Sequence, residues 1–202
     1  MLHRLGTVDS TQLAAAGLPL GSVVVANHQT AGRGRHGRSW QAPAGSGLFV
    51  TFVLEHSPVV LFAAGVAAAE ACGRGVLIKW PNDLILEERK LGGILAEIRN
   101  GHALVGIGIN LSWAPPGAAR LGDDRDALLD RLLPLMARWT ETGTEAVLQR
   151  WRELSWTLGQ AVRVELGGEV IEGLAEDVAG DGALLVGGRR VIAGDVTRLR
   201  PA

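Results

Sequence analysis

The chain holds one cysteine, two lysines and no apolar run long enough to cross a bilayer. With Cys72 alone no internal disulfide can form, and its place at the end of the apolar segment Val59 to Ala71 suits core packing better than redox chemistry. The longest apolar stretch, Val59 to Ala69 with Gly65 admitted, falls short of the roughly 20 residues a membrane helix needs. Met1-Leu2-His3-Arg4 runs straight into polar residues, so no signal peptide is expected and a cytoplasmic protein away from membranes is the expectation. A basic excess is missing too: the formal net charge is -1, whereas a general nucleic-acid binder carries positive charge over a whole face. There is no G-x-x-x-x-G-K-[ST] loop, no G-x-S-x-G turn, and His3, His28, His36, His56 and His102 are too scattered to form a metal constellation.

What the chain does have is arginine placed among glycines. Residues 32 to 40 read Gly32-Arg33-Gly34-Arg35-His36-Gly37-Arg38-Ser39-Trp40, three guanidinium groups between glycines that permit close backbone approach. Alone, such a loop is an anion clamp, a solvated turn or a track along a nucleic-acid backbone. A second stretch narrows the choice: Lys79-Trp80-Pro81-Asn82-Asp83-Leu84, followed by Arg89-Lys90-Leu91-Gly92-Gly93-Ile94. Of 20 cationic residues only Lys79 and Lys90 are lysine, and both fall here. An ammonium is a compact charge on a flexible stem, suited to following an oxygen as its charge builds.

At 202 residues and 47% hydrophobic, the chain has room for one ordinary domain and a small appendage. Asp9-Ser10-Thr11-Gln12 caps a short helix that Gly17 and Pro19 end. Strands are expected over Ser22 to Ala26, Gly47 to Glu55, Val76 to Trp80 and Leu84 to Glu87, and an apolar helix over Val59 to Arg74. Asn100-Gly101 turns a hairpin between Leu91 to Arg99 and His102 to Leu111, with Asn110 at its end. Residues 114 to 124 form an irregular loop long enough to act as a lid, expected, like residues 32 to 40, to be mobile until ligand binds. Helical spacing marks Asp126 to Thr140, which Pro134 should kink or divide, and Thr144 to Ser155, with Trp139, Trp151 and Trp156 as packing residues. From Leu158 short strands with glycine turns indicate a small β-barrel, dividing the chain into residues 1 to 157 and 158 to 202; no site is visible in the second part.

A site gathering Arg33, Arg35, Arg38 and Lys90 holds a carboxylate against a polyphosphate. At ~4 Å two such anions repel by roughly 4 kcal/mol at an effective dielectric of 20. The chemistry suggested is activation of a carboxylic acid by a nucleotide, with Asp83 serving Mg²⁺ or ribose.

These segments, in their order and spacing, together with Ser10-Thr11, Gln29 and Gly106-Ile107-Gly108-Ile109-Asn110, resemble the signatures of the biotin protein ligase family. The resemblance extends over essentially the whole chain. It implies an α+β fold: a mixed, largely antiparallel sheet flanked by helices, of class II synthetase type, followed by an SH3-like barrel. It implies biotin and ATP as substrates with Mg²⁺, biotinyl-5'-AMP as intermediate, and a lysine of a biotin carboxyl carrier domain as acceptor. Ser10, Thr11 and Gln29 would then hydrogen-bond the ureido ring, and Gly32, Arg33, Gly93 and Lys90 would line biotin and its carboxylate. Arg35 and Lys90 would be catalytic, and Arg38, Trp40, Asn82, Asp83 and Asn110 would serve nucleotide and metal. Gln12 stands where the family usually has Asn, so that ring contact is left out. A helix-turn-helix domain found in some members has no room before residue 9, so DNA binding is not expected, while a homodimer stays open. Lipoate or octanoate ligases and a non-catalytic biotin sensor are the alternatives.

Overall fold

A computed structural model of the chain describes residues 1–73 and 75–199. Twelve strands and four helices occur among them, in two sheets. The first seven strands are β1 (Leu2–Val8), β2 (Val23–Gln29), β3 (Gly47–Glu55), β4 (Leu77–Lys79), β5 (Asp83–Leu86), β6 (Arg89–Arg99) and β7 (His102–Asn110). They make one sheet in the order β1-β2-β3-β7-β6-β5-β4, antiparallel except for the β1–β2 pair. The hairpin at Asn100-Gly101 forms as expected, with both residues at the positive φ that such a turn demands.

Alternation along these strands decides which face holds the core. Val25, Val50, Phe52, Val105, Ile107 and Ile109 point to one side and pack with α2 (Val60–Cys72), α3 (Arg125–Glu141) and α4 (Thr144–Glu153). Eleven of the thirteen residues of α2 are buried, which is why it reads as apolar all round. A Cβ at Gly65 would meet Ile78 and Ile94 at ordinary contact distances of 3.6–3.7 Å, so the packing of α2 on the sheet does not itself require glycine there. Pro134 does not divide α3: the helix is continuous around it, with Leu128, Leu129, Leu132, Met136 and Trp139 buried. Trp151 and Trp156 are buried as well, Trp151 edge-on to Phe62.

The opposite face carries Val24, Val53 and Leu104, covered by the five-residue helix α1 (Thr11–Ala15) and capped by Ser10, whose Oγ accepts from the Gln12 amide. Beyond α1 this face is left for the site.

The small β unit expected at the C-terminal end is a five-stranded sheet of β8 (Ala161–Leu166), β9 (Glu169–Val178), β10 (Leu184–Val186), β11 (Arg189–Val191) and β12 (Asp195–Arg198), ordered β11-β10-β9-β8-β12. Its inward residues, among them Val162, Val164, Val178 and Leu184, join the same core as the helices. Trp80 fastens it to the large sheet: its backbone N–H donates to Thr157 Oγ1 (2.9 Å) and its indole N–H to Gly182 O (3.0 Å). Two strands escaped the sequence reading. β1 lacks a buried face, with five of its seven residues exposed, and β12 is only four residues long.

Candidate active site

Glycine at 106 and 108 strips the side chains from the solvent-side face of β7, while Ile107 and Ile109 fill the core on the other. A Cβ at Gly108 would come 3.0 Å from the Trp40 ring, and one at Gly106 would come 2.9 Å from Gln12 Nε2. The strand backbone therefore forms the floor on which those two side chains rest. Above it lies a cavity of about 300 Å³, within the range of pockets for small ligands.

One end of the cavity is polar and uncharged. The backbone N–H and Oγ1 of Thr11 both donate to Gln29 Oε1, at 2.8 and 3.1 Å, and Thr51 Oγ1 donates to Thr11 Oγ1 at 2.9 Å. Both lone pairs of Gln29 Oε1 are thereby used, so its NH₂ group is the end offered to a ligand. Gln12 is set the other way: its Nε2 donates to Leu95 O (2.8 Å) and Leu104 O (3.3 Å), which orients the amide. Its Oε1 is buried without a partner. An acceptor and a donor on adjacent amides match a compact head group that carries both N–H and C=O.

The other end is charged. Arg33, Arg35, Arg38, Lys79 and Lys90 face the cavity against two carboxylates, Asp83 and Asp195. Lys90 Nζ lies 2.7 Å from Asp83 Oδ1 and 5.8 Å from the Trp40 ring centre, and Arg38 pairs with Asp195. Arg35 Nη1 donates to Asn82 Oδ1 (2.9 Å), and Asn82 is held by its own N–H to Ile94 O (2.8 Å). The side chains of Arg33 and Lys79 have neither hydrogen bond nor ion pair among the described residues; Lys79 lies 5.6 Å from the Trp156 ring centre. Burial lowers the pKa of Arg35 and of Lys79 below the ordinary values, with Asp83 and Asp195 opposing the shift in both. Three uncompensated cations in a half-enclosed cleft create a field suited to a polyanion.

The arginine loop closes on itself by Trp40 N–H to Gly32 O (2.8 Å) and Gly34 N–H to Arg38 O (2.7 Å), with His36 at its tip in the left-handed region (φ 55°). Its two ends are thus fixed, and Arg35 and Arg38 on either side of His36 line the pocket.

Comparison with known proteins agrees with this geometry. The family model described as biotin/lipoate A/B protein ligase matches residues 5–113, more than half of the chain, and that of the biotin protein ligase C-terminal domain matches residues 157–198. The chain belongs to the biotin/lipoate A/B protein ligase family. The biotin–[acetyl-CoA-carboxylase] ligase of Mycobacterium tuberculosis is 37% identical over 95% of this chain and 85% of its own length. That of Paracoccus denitrificans is 33% identical, over 95% and 96% respectively. The fold superimposes on the Aquifex aeolicus biotin protein ligase solved with biotin and ATP, with a TM-score of 0.85 and 27% identity over 99% of each chain.

Set against this family, the sequence-based site residues divide cleanly. Ser10, Thr11, Gln29, Arg33, Arg35, Arg38, Trp40, Asn82, Asp83, Lys90 and Gly93 all line the one cavity. Gly32 and Asn110 do not. Gly32 is required by the loop itself, because a Cβ there would sit 2.4 Å from Trp40 O. Asn110 is buried and donates to Ala119 O (3.0 Å), bracing the segment after β7. Ala119 N–H to Lys90 O (2.8 Å) and Leu121 N–H to Asn110 O (2.9 Å) fasten that segment further, so its second half is part of the core rather than a free lid. Gly93 has ordinary room for a Cβ, 3.6 Å from Asp83 and 3.7 Å from Lys90.

The sequence reading missed two contributions. Gln12, set aside there, is in the wall, and Lys79 faces the same space. Gly194, Asp195, Val196 and Thr197 at the C-terminal sheet also line the cavity, which locates a contribution that the sequence of this part leaves open. No local motif marks them; only the tertiary fold brings them there.

Proposed function

We propose that this chain is a biotin protein ligase, joining biotin to AMP and then to a lysine of a biotin carboxyl carrier domain. The observation that carries the reading is the division of one cavity into an uncharged amide-lined end and an end with five cations against two carboxylates. Biotin has that division in its own structure, a ureido ring at one end and a carboxylate at the other. Gln29 Nε2 donates to the ureido oxygen, whose burial unpaired would be costly, and Thr11, on the helix that Ser10 caps, fixes the amide that does so. The valeryl chain runs over the glycine floor toward Arg33 and Lys90.

There the carboxylate attacks the α-phosphorus of ATP, forming the acyl–phosphate bond of biotinyl-5'-AMP and releasing pyrophosphate. Lys90, free to leave Asp83 for a phosphate oxygen, follows the charge as it moves from the carboxylate to the phosphorane oxygens. Arg35, oriented by Asn82, supports the same charge and retains the adenylate. Arg38 and Trp40 serve the nucleotide. In the second half-reaction the neutral amine of the carrier's lysine attacks the acyl carbon and AMP leaves.

For Mg²⁺ the donor set is thin. Among the described residues no group of three or more His, Cys, Asp or Glu side chains comes together, so the ion would ride on the phosphates with Asp83 as its protein ligand. The chain divides for this purpose into a substrate-binding part, residues 1 to 157, and a C-terminal part from 158 that closes one wall. No helix of the described residues is long and apolar enough to span a membrane.

Calorimetry of biotin against lipoate tests the reading. Binding of biotin with no binding of lipoate is expected, because a dithiolane has nothing to offer the Gln12 and Gln29 amides. Preference for lipoate or octanoate would place the chain in the other branch of its family.

A further inference from the structure

We infer that Glu88 is a positioning residue for Lys90, holding the strained turn that precedes it against Trp156 and Arg198. The inference rests on the ligase reading for what Lys90 does, and goes beyond it in assigning what aims Lys90.

Lys90 and Gly93 both face the cavity, yet they are three residues apart, and regular alternation would put them on opposite faces of β6. A bulge brings them together. Ile85 pairs with Lys90 and Leu84 with Gly92, which leaves Leu91 extra, buried in the core. The aim of Lys90 therefore depends on how β6 leaves the turn before it. That turn is Glu87-Glu88, with both residues in the left-handed region at φ 50° and 59°. Elsewhere in the chain the turns at Asn100-Gly101, Gly167-Gly168 and Gly187-Gly188 use asparagine and glycine for such backbone, as steric preference dictates. A glutamate held there against that preference needs a second reason.

The second reason lies on the far side of the turn. Trp156 is buried and tied to β4 by its backbone N–H, which donates to Ile78 O (2.8 Å). Its indole N–H, costly to leave unpaired, donates to both carboxylate oxygens of Glu88 at 3.1 Å. Arg198 completes the clamp. Its Nη1 donates to Glu88 Oε2 (2.9 Å), its Nη2 donates to Trp156 O (2.6 Å), and its guanidinium lies 3.7 Å from the Trp156 ring centre. The Glu88 side chain stays 65% exposed, so its ion pair adds little to folding. What the pair fixes is where the turn lies, and with it the start of β6.

Glu88→Gly removes the carboxylate and eases the backbone at once, which separates aiming Lys90 from making the turn. Were the turn all that mattered, this variant would turn over as fast as the parent. In biotin-dependent pyrophosphate release kcat should instead fall about 10- to 100-fold with KM for biotin within about two-fold, since a misplacement of ~1 Å suffices for such a loss. Glu88→Gln, which keeps an acceptor for the indole, should recover most of the rate. Trp156→Phe, which keeps a ring without the N–H, should lose rate as Glu88→Gly does. In a Lys90→Ala background Glu88→Gly should change nothing further. A second arm needs no activity: the chain has only two lysines, so ε-¹³C-lysine labelling gives two side-chain NMR signals, assigned with Lys79→Arg and Lys90→Arg. The Lys90 signal should move toward that of a free lysine in Glu88→Gly and stay near the parent's in Glu88→Gln. A kcat within about two-fold of the parent in Glu88→Gly, an equal loss with and without Lys90, or an unmoved Lys90 signal would overturn the proposal. Should the parent release no biotin-dependent pyrophosphate, the ligase reading fails and the lysine signal still decides the positioning.

Discussion

Replacing Lys90 by alanine separates chemistry from folding. Its ammonium pairs with Asp83 at 2.7 Å, with side-chain exposures of 43% and 21%. A pair this wetted contributes about 0–1 kcal/mol to stability, so the fold should survive with its thermal midpoint nearly unchanged. The demand on Lys90 is larger during reaction. Bringing a carboxylate within ~4 Å of a phosphate costs roughly 4 kcal/mol at an effective dielectric of 20, and loss of one well-placed stabiliser typically removes about 2.7–4 kcal/mol of that support. Biotin-dependent pyrophosphate release at saturating ATP and biotin should therefore fall about 10²- to 10³-fold in Lys90→Ala. Lys90→Arg should lie between the two, since the charge remains but the compact ammonium does not. Pyrophosphate release within about three-fold of the parent, in a folded Lys90→Ala protein, would refute the reasoning, because the cavity's other cations would then suffice.

Gln12→Met removes the unpartnered acceptor at nearly constant volume; biotin affinity measured by calorimetry should fall by about 1–3 kcal/mol, and unchanged affinity would show that the Oε1 meets no ligand N–H. Burial lowers the Lys79 pKa, so its charge is lost on raising the pH earlier than for an ordinary lysine, and ATP affinity should weaken over that alkaline range. In Lys79→Arg the alkaline weakening should vanish; its persistence would assign it to another group. Burial pushes the Cys72 thiol up to about 12. The native protein should accordingly resist alkylation at pH 8 and react only on unfolding, and rapid native labelling, read by mass spectrometry, would contradict that packing.

Much of this molecule was legible where the physics is local. Strand β3 ends where its apolar run ends, and Asn100-Gly101 specifies its hairpin because few other pairs tolerate two positive φ angles. The arginine loop and the segments around Lys79 and Lys90 were readable because each is contiguous. Strand β1 was not, since a parallel edge strand with an exposed face carries no period-2 signal. Pro134 does not divide α3, since one missing amide bond costs less than the apolar side of the helix gains by packing on α2. In the site, Gln12 and Asp195 became visible only through distant partners, Leu95 and Leu104 for the first and Arg38 for the second.

The central claim is that one cavity holds a ureido ring at its amide end and joins the attached carboxylate to AMP at its cationic end. Its most direct test is transfer of labelled biotin to a biotin carboxyl carrier domain in the presence of ATP and Mg²⁺. The account predicts label on a single carrier lysine, dependent on ATP and accompanied by one pyrophosphate and one AMP per transfer. Label that appears without ATP, or no transfer by a protein that binds both biotin and ATP, would contradict it.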